Sequence, residues 1–143
     1  MTKNVLIAVK STRTDLDNET DVIEAIYPGT LHFKNNNYFI LYKETERTGM
    51  ENVSTTLKTE GHKVTIIRNG NVSMRQVFER DMVHQSCYQT PYGNMEMTVK
   101  PWYIEVHLTD IGGSIKLEYE LELDGAPMGK TSLDIVVTEA PLH

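Results

Sequence analysis

The pattern of hydrophobic and polar positions predicts β-strands wherever it is regular. The clearest run covers residues 115–123, where apolar and charged side chains alternate. Its apolar members are Ile115, Leu117, Tyr119, Leu121 and Leu123. Because successive side chains of a strand point to opposite faces, this segment has one apolar face and one charged face. An α-helix would distribute the same side chains around its whole surface, so the pattern favours a strand.

Similar runs, separated by turn residues, predict nine or ten strands and no helix. They cover about residues 4–13, 20–33 and 38–45, a hairpin over 53–68, and then 74–80, 83–90, 94–108, 115–123 and 131–138. An interruption of the second run is expected at Tyr27, Pro28 and Gly29, because proline cannot donate to a β-ladder and glycine permits a bend. In the run 94–108 the apolar positions change from odd to even at Lys100 and Pro101, which predicts a bulge or bend.

In the hairpin over 53–68 the apolar face sets the pairing of the two strands. A two-residue loop is expected at residues 60–61, where a glycine follows a glutamate. Counting back from that loop pairs Leu57 with Val64. The same register places Arg68 on the apolar face, near the end of its strand.

The next turn, at residues 69–71, allows two registers. The Asn-Gly sequence at its start is typical of a two-residue type I′ turn, which would pair Ile67 with Val72. A three-residue loop would instead pair Arg68 with Val72 and hold Asn71 in the left-handed conformation as a bulge. We predict the three-residue loop, because it keeps one continuous apolar face across both hairpins.

Consecutive strands of this kind, each with one apolar face, must pack as two sheets or close into a barrel. Long strands with bulges favour closure, because a barrel needs strongly bent strands. We therefore predict an all-β antiparallel barrel of about 8–10 strands, as a single domain over residues 1–143. A β-sandwich is the alternative architecture.

Composition narrows the location and the partners. A net charge of −6 disfavours nucleic acid and anionic membrane surfaces, which would repel the chain. No apolar segment is long enough to span a bilayer, and the run 5–9 is too short for a signal peptide. The single cysteine, Cys87, cannot form an internal disulfide. Together these features predict a cytoplasmic protein. Both a monomer and a homodimer stay open.

Sequence motifs give no support for a metal, a cofactor or an enzymatic activity. The five histidines are far apart in sequence, and Cys87 has no second cysteine with which to hold zinc. They are His32, His62, His84, His107 and His143. Glycine-rich phosphate-binding loops and a nucleophile elbow are absent from the sequence. We therefore predict neither a metal, a cofactor nor a catalytic residue.

Two features are candidates for a binding site. Arg68 lies on the predicted inner face, where a guanidinium needs an acceptor such as the carboxylate of Glu44, which shares a face with Tyr42. Arg68 at the rim, an Arg68–Glu44 pair that is only structural, and a ligand anchor all remain open. The segment 88–93 contains a proline and a glycine typical of a tight turn, and its tyrosines could line a barrel opening. The candidate ligand-binding residues are Tyr42, Glu44, Arg68, Tyr88, Thr90 and Tyr92.

The chain resembles the YwiB-like family of small bacterial proteins of unknown function. The segments 42–44, 68–70 and 88–93, followed by Gly113 and the amphipathic strand, carry this resemblance in order along the chain. It implies a calycin-like, lipocalin-type β-barrel in the cytoplasm, and it implies no activity. The chain lacks the Gly-x-Trp motif, the disulfide pair and the secretion signal of lipocalins, so extracellular lipid transport is not implied.

Three functions follow as hypotheses. In the first, the barrel binds a small, partly apolar ligand in its open end, which rests on fold-level analogy and on the candidate residues. In the second, the protein is a structural or interaction module with a filled interior, as a monomer or a homodimer. In the third, Glu44 or His84 acts as a catalytic base. A cavity of ~300 Å³ or more would favour the first hypothesis, and a packed interior the second.

Overall fold

The computed structural model describes residues 2–44 and 53–141, and ten antiparallel strands account for most of them. The strands are β1 (Thr2–Thr14), β2 (Thr20–Lys34), β3 (Asn37–Glu44), β4 (Val53–Glu60), β5 (Lys63–Asn69), β6 (Met74–Phe78), β7 (His84–Thr90), β8 (Gly93–Thr109), β9 (Gly112–Leu123) and β10 (Ala126–Glu139). Within the two described ranges there is no helix long and apolar enough to span a bilayer.

One sheet contains all ten strands, and it curves into a nearly closed barrel. Each strand pairs with its sequence neighbours except β6 and β7, which form the two ends of the sheet, and β1 also pairs with β10. The two ends meet at a bridge between Ser73 and Gln89, with N···O distances of 2.9 and 2.8 Å. The predicted all-β barrel is therefore confirmed, and the β-sandwich alternative is wrong.

The core consists of side chains that alternate along the inner face of every strand. In β9, Ile115, Leu117 and Tyr119 are buried, while Leu121 and Leu123 are partly buried and pack against the same core. The apolar face predicted from the alternation of β9 is therefore confirmed. Burial of each large apolar side chain stabilises the fold by about 1.5–3 kcal/mol.

The two central hairpins keep the predicted faces, but their registers differ from the prediction by two residues. Leu57 pairs with Ile66 rather than Val64, and the two-residue loop consists of Gly61 and His62. Gly61 has φ 63°, so the glycine takes the first loop position, which favours a positive φ in hairpins of this length. A shift of two residues leaves every side chain on its original face.

The second hairpin forms neither register considered from the sequence. Arg68 pairs with Met74, and Gly70 rather than Asn71 has a positive φ, of 147°. The longer connection brings Ser73 beside Gln89, where the two ends of the sheet meet. Closure of the barrel thus sets the length of this loop, and a local turn motif could not predict it.

β2 is continuous through Pro28 and Gly29, so the predicted interruption is wrong. Pro28 lies one residue before the first pair with β3, where β2 pairs with β1 alone among the described residues, a position that tolerates proline. A Cβ atom on Gly29 would clash with the carbonyl oxygen of Leu41 and with Cδ1 of Ile7. The glycine therefore permits close packing of β1, β2 and β3 rather than a bend.

The predicted bulge in β8 is confirmed. The pairing of β8 with β9 shifts between Pro101 and Tyr103, and the buried positions change from Met97 and Val99 to Ile104 across it. The bulge turns Trp102 outward, with 52% of its surface exposed, although its even position belongs to the apolar face predicted after residue 101. The extra residue of a bulge belongs to neither face pattern, which explains this error.

Candidate functional site

A cavity of about 190 Å³ occupies one end of the barrel interior. Nine of the ten strands line it, all except β4. The lining residues are Val9, Ser11, Arg13, Ile23, Ala25, Tyr27, Glu44, Arg68, Met74, Gln76, Tyr88, Met97, Tyr119, Leu121, Thr131 and Leu133. We call this region the polar end, because Glu44, Arg68, Gln76 and Thr131 lie in it. The turns β1–β2, β5–β6, β7–β8 and β9–β10 are on the same side.

Glu44 and Arg68 form an ion pair in the wall of the cavity. Nη2 of Arg68 lies 3.5 Å from Oε1 of Glu44, and the side chains are 13% and 6% exposed, respectively. Glu44 ends β3 and Arg68 is next to last in β5, so the contact passes over β4. Thr55 of β4 pairs with Arg68 and is itself buried, and its short side chain leaves room for the contact. The predicted inner-face pair is confirmed.

The ion pair uses only part of its hydrogen-bonding capacity. Oε2 of Glu44 and Nε of Arg68 are buried and have no hydrogen-bond partner within residues 2–44 and 53–141. Leaving a buried polar group unpaired costs about 1–3 kcal/mol, and more for a charged group. Within the part of the chain that the structure describes, the ion pair therefore keeps one hydrogen-bond acceptor and one donor unused beside the cavity.

Burial raises the pKa of Glu44, and the positive charge and hydrogen bond of Arg68 partly oppose that rise. The carboxylate is thus held in an environment less favourable to its charge than water is. Arg68 favours the ionised form of this carboxyl group. Loss of the guanidinium would leave the carboxylate with desolvation alone.

Tyrosine rings form much of the wall around the ion pair. Tyr27 and Tyr42 stack with their ring centroids 4.9 Å apart. Burial raises the pKa of Tyr42 and of Tyr119, while Arg68 acts in the opposite direction on both phenols. Both phenols are therefore uncharged at neutral pH.

The candidate residues from the sequence fall into two groups. Glu44, Arg68 and Tyr88 line the cavity, and Tyr42 packs beside it against Tyr27. Thr90 instead stabilises its own turn, since its hydroxyl accepts from the N–H of Tyr92 at 3.1 Å and donates to the carbonyl of Gly93 at 2.8 Å. The Tyr92 ring is fully exposed to solvent. The structure thus brings the first four residues together and leaves Thr90 and Tyr92 outside.

The polar lining residues Ser11, Arg13, Gln76 and Thr131 were not among the candidates. Gln76 is 4% exposed and sits between two buried apolar residues on the inner face of β6. Thr131 begins the apolar face of β10 in the same way. The sequence contained a signal for Gln76 and Thr131, because each is a polar residue at an inner position of a strand with alternating apolar and polar side chains.

Two groups considered for chemistry lie outside the cavity. Nε2 of His84 is 3.1 Å from Oε1 of Glu79, and both side chains are partly exposed. Cys87 is a free, exposed cysteine. In the described part of the chain, no group of three or more histidine, cysteine, aspartate or glutamate side chains is arranged to hold a metal ion.

Residues 7–135 match a family model described as a domain of unknown function, DUF1934. The chain belongs to this family. It is 27% identical over 119 residues to the uncharacterized beta-barrel protein YwiB of Bacillus subtilis (strain 168), over 83% of this chain and 82% of that protein. The crystal structure of the YwiB protein from Bacillus subtilis superposes with a TM-score of 0.86 at 22% identity, covering 98% of this chain and 94% of that chain.

These comparisons confirm the predicted relation to YwiB-like proteins and the β-barrel fold. The more specific calycin-like assignment stays a prediction. The matched relative is itself described as uncharacterized, so the comparisons carry no activity to this chain.

Proposed function

We propose that this protein binds a small, partly apolar molecule in the polar end of its barrel. The observation that carries the proposal is the 190 Å³ cavity with the buried Glu44–Arg68 pair in its wall. A barrel that needed only a filled core would gain little from this pair, because replacing a buried ion pair by apolar residues is often neutral or stabilising.

The volume of the cavity restricts the ligand. It is below the ~300 Å³ that would favour the binding hypothesis on the sequence alone and that drug-sized ligands occupy. It is also far larger than the space that a single water molecule needs. The proposal is therefore limited to compact molecules, about the size of a single substituted ring.

The proposed role is binding without catalysis, in the cytoplasm. The carboxylate of Glu44 is engaged by Arg68, and His84 lies away from the cavity, so neither is well placed to act as a base. The lone exposed cysteine supports a reducing compartment, where it would stay free.

The test is native mass spectrometry of protein purified gently from its own cells. The expected result is a mass excess from a retained small molecule, which is lost on denaturation. The matched variants are Ser11→Phe, which fills the cavity, and Ser132→Phe, which places the same ring on the outer face of β10. Retention of the molecule by Ser11→Phe at the wild-type level, or no retained molecule in any sample, would contradict the proposal.

A second candidate function, homodimer formation, is favoured by an exposed apolar row on the outer face. Val136, Ala8 and Ile26 are cross-strand neighbours on β10, β1 and β2, and Ile26 is 69% exposed. Beside this row Lys10 lies between Glu24 and Asp134, so a second copy could match both the apolar row and the charges.

Sedimentation velocity tests the second candidate. Ile26→Lys should convert a dimer to a monomer, whereas Ile111→Lys, at an equally exposed turn position, should not. A wild-type protein that stays monomeric at high micromolar concentration would contradict it.

A further inference from the structure

The hydrogen-bonding groups of the Glu44–Arg68 pair restrict the chemistry of a ligand that fits the cavity. Oε2 of Glu44 can accept a hydrogen bond and Nε of Arg68 can donate one, and both atoms are buried without partners among the described residues. A small shift of the two side chains is needed to open these atoms to the cavity. We propose, building on the proposed function, that the ligand presents to this pair a neutral, planar head with a donor and an acceptor side by side, as a primary amide or a lactam has. The head donates to Glu44 and accepts from Arg68.

A neutral head fits because the pair is already electrically balanced. An anionic head would gain Arg68 but would approach the carboxylate of Glu44, which lies 3.5 Å from the guanidinium. A cationic head would be attracted by Glu44 but would approach the positive charge of Arg68. In a site with little water, such a like-charge contact is poorly screened.

The other charged residue in the lining, Arg13, is exposed to solvent at the edge of the cavity. Its positive charge opposes the rise in the pKa of the buried Tyr119 phenol, but less than the charge of Arg68 does, since water at the cavity edge screens it. The phenols of Tyr42 and Tyr119 remain uncharged, because burial raises the pKa of each. The charges nearest to the head are therefore those of Glu44 and Arg68, and Arg13 adds a weaker positive charge at the edge of the cavity.

The remaining wall fits a flat apolar body. Tyr27, Tyr88 and Tyr119 offer aromatic rings, and Met74 and Met97 offer adaptable thioethers. Aromatic faces and methionine sulfur pack favourably against a planar ring. A small aromatic or heteroaromatic amide thus complements both parts of the cavity.

The test uses four probes of nearly equal size: benzamide, benzoate, benzamidine and toluene. Ligand-observed NMR titration of the full chain at neutral pH gives the affinity of each. Benzamide should bind at least about tenfold more tightly than the two charged probes and toluene, which corresponds to about 1.4 kcal/mol. Binding of every probe should be lost in Ser11→Phe and kept in Ser132→Phe.

The possible outcomes separate this inference from the proposed function. A charged probe or toluene that binds as tightly as benzamide would overturn the neutral head but leave the cavity as a binding site. Failure of all four probes to bind at millimolar concentration would overturn the proposed function itself.

Variants of the pair sharpen the result. In Glu44→Gln the guanidinium loses its counter-charge, so benzoate should overtake benzamide. In Arg68→Met the carboxylate remains, so benzamidine should overtake benzamide. Near-UV circular dichroism identifies the variants that fold, and an unchanged order of affinities in a folded variant would overturn the inference. If neither variant folds, the wild-type affinities alone decide.

Discussion

The two ends of the barrel interior are built from different side chains. In the apolar end, Leu31, Ile40 and Leu57 are fully buried and pack in a continuous hydrophobic cluster. In the polar end, Glu44 and Arg68 face a cavity and leave two buried polar atoms without partners among the described residues. Burial of large apolar side chains stabilises the apolar end, whereas the polar end also contains buried polar groups that cost stability. Such an arrangement is typical of a protein that keeps a site at the expense of stability.

The largest effect that would test this contrast comes from breaking the ion pair. Arg68→Met leaves the buried carboxylate of Glu44 uncompensated, and it should lower the free energy of unfolding by about 3–5 kcal/mol. Glu44→Gln should also destabilise the fold, because it leaves the guanidinium of Arg68 without a counter-charge. Urea denaturation of the two variants and of the double variant measures the coupling.

The double variant should recover part of the loss, because it removes both charges together. Additive losses would show that the two side chains do not interact. A loss under about 1 kcal/mol for each single variant would indicate a solvent-screened pair and would remove the distinction between the two ends.

Truncation of one leucine in each end compares their packing directly. Leu57→Ala in the apolar end should cost about 2–5 kcal/mol, because it opens a hole in a fully packed core. Leu121→Ala should cost less, because Leu121 is only partly buried and already borders the cavity. Urea denaturation decides, and equal losses would mean that the cavity end is packed as tightly as the other.

The pH dependence of stability isolates Glu44. Burial raises its pKa in the folded state above 4.5, the ordinary value for glutamate. Between these two values the folded protein binds more protons than the unfolded chain, so this group lowers stability as the pH rises. At pH values above the folded-state pKa the full loss of stability due to Glu44 is present, and at pH values below 4.5 this loss is absent.

The matched measurement is the free energy of unfolding of wild type and Glu44→Gln from about pH 4 to pH 7. Because the glutamine side chain of the variant does not titrate, the difference in stability should move in favour of the variant as the pH rises. A difference that is independent of pH would show that the carboxylate is as well solvated in the fold as in the unfolded chain.

Most of the fold follows from alternation, because alternation assigns each side chain to a face. That rule placed Arg68 and Glu44 inside, and it located the bulge near Pro101. Both central registers were wrong by two residues, since such a shift leaves the faces unchanged and so leaves no trace in the pattern. The bridge that closes the barrel at Ser73 fixes one of them, and it involves residues distant in sequence.

The candidate site was predictable only in part, for a related reason. Glu44 and Arg68 were noticeable as charges on an apolar face. Gln76 and Thr131 carry the same kind of signal more weakly, because an uncharged polar residue is less unusual in a core than a charged one. Thr90 and Tyr92 were candidates because the segment 88–93 is rich in aromatic and turn residues. The structure shows that Thr90 instead forms hydrogen bonds within its own turn.

The smallest predicted effects concern that turn, and they test where the polar end stops. Thr90→Ala removes a hydroxyl that bonds two backbone groups of its own turn, so it should cost about 0.5–1.5 kcal/mol. Tyr92→Ala should change stability by no more than about 0.5 kcal/mol, because the ring is fully exposed. Neither should alter the affinity for benzamide, whereas Tyr88→Ala should weaken it, since Tyr88 lines the cavity. A loss of affinity in Tyr92→Ala that matches the loss in Tyr88→Ala would extend the binding surface onto the turn and would make the fully exposed ring part of the site.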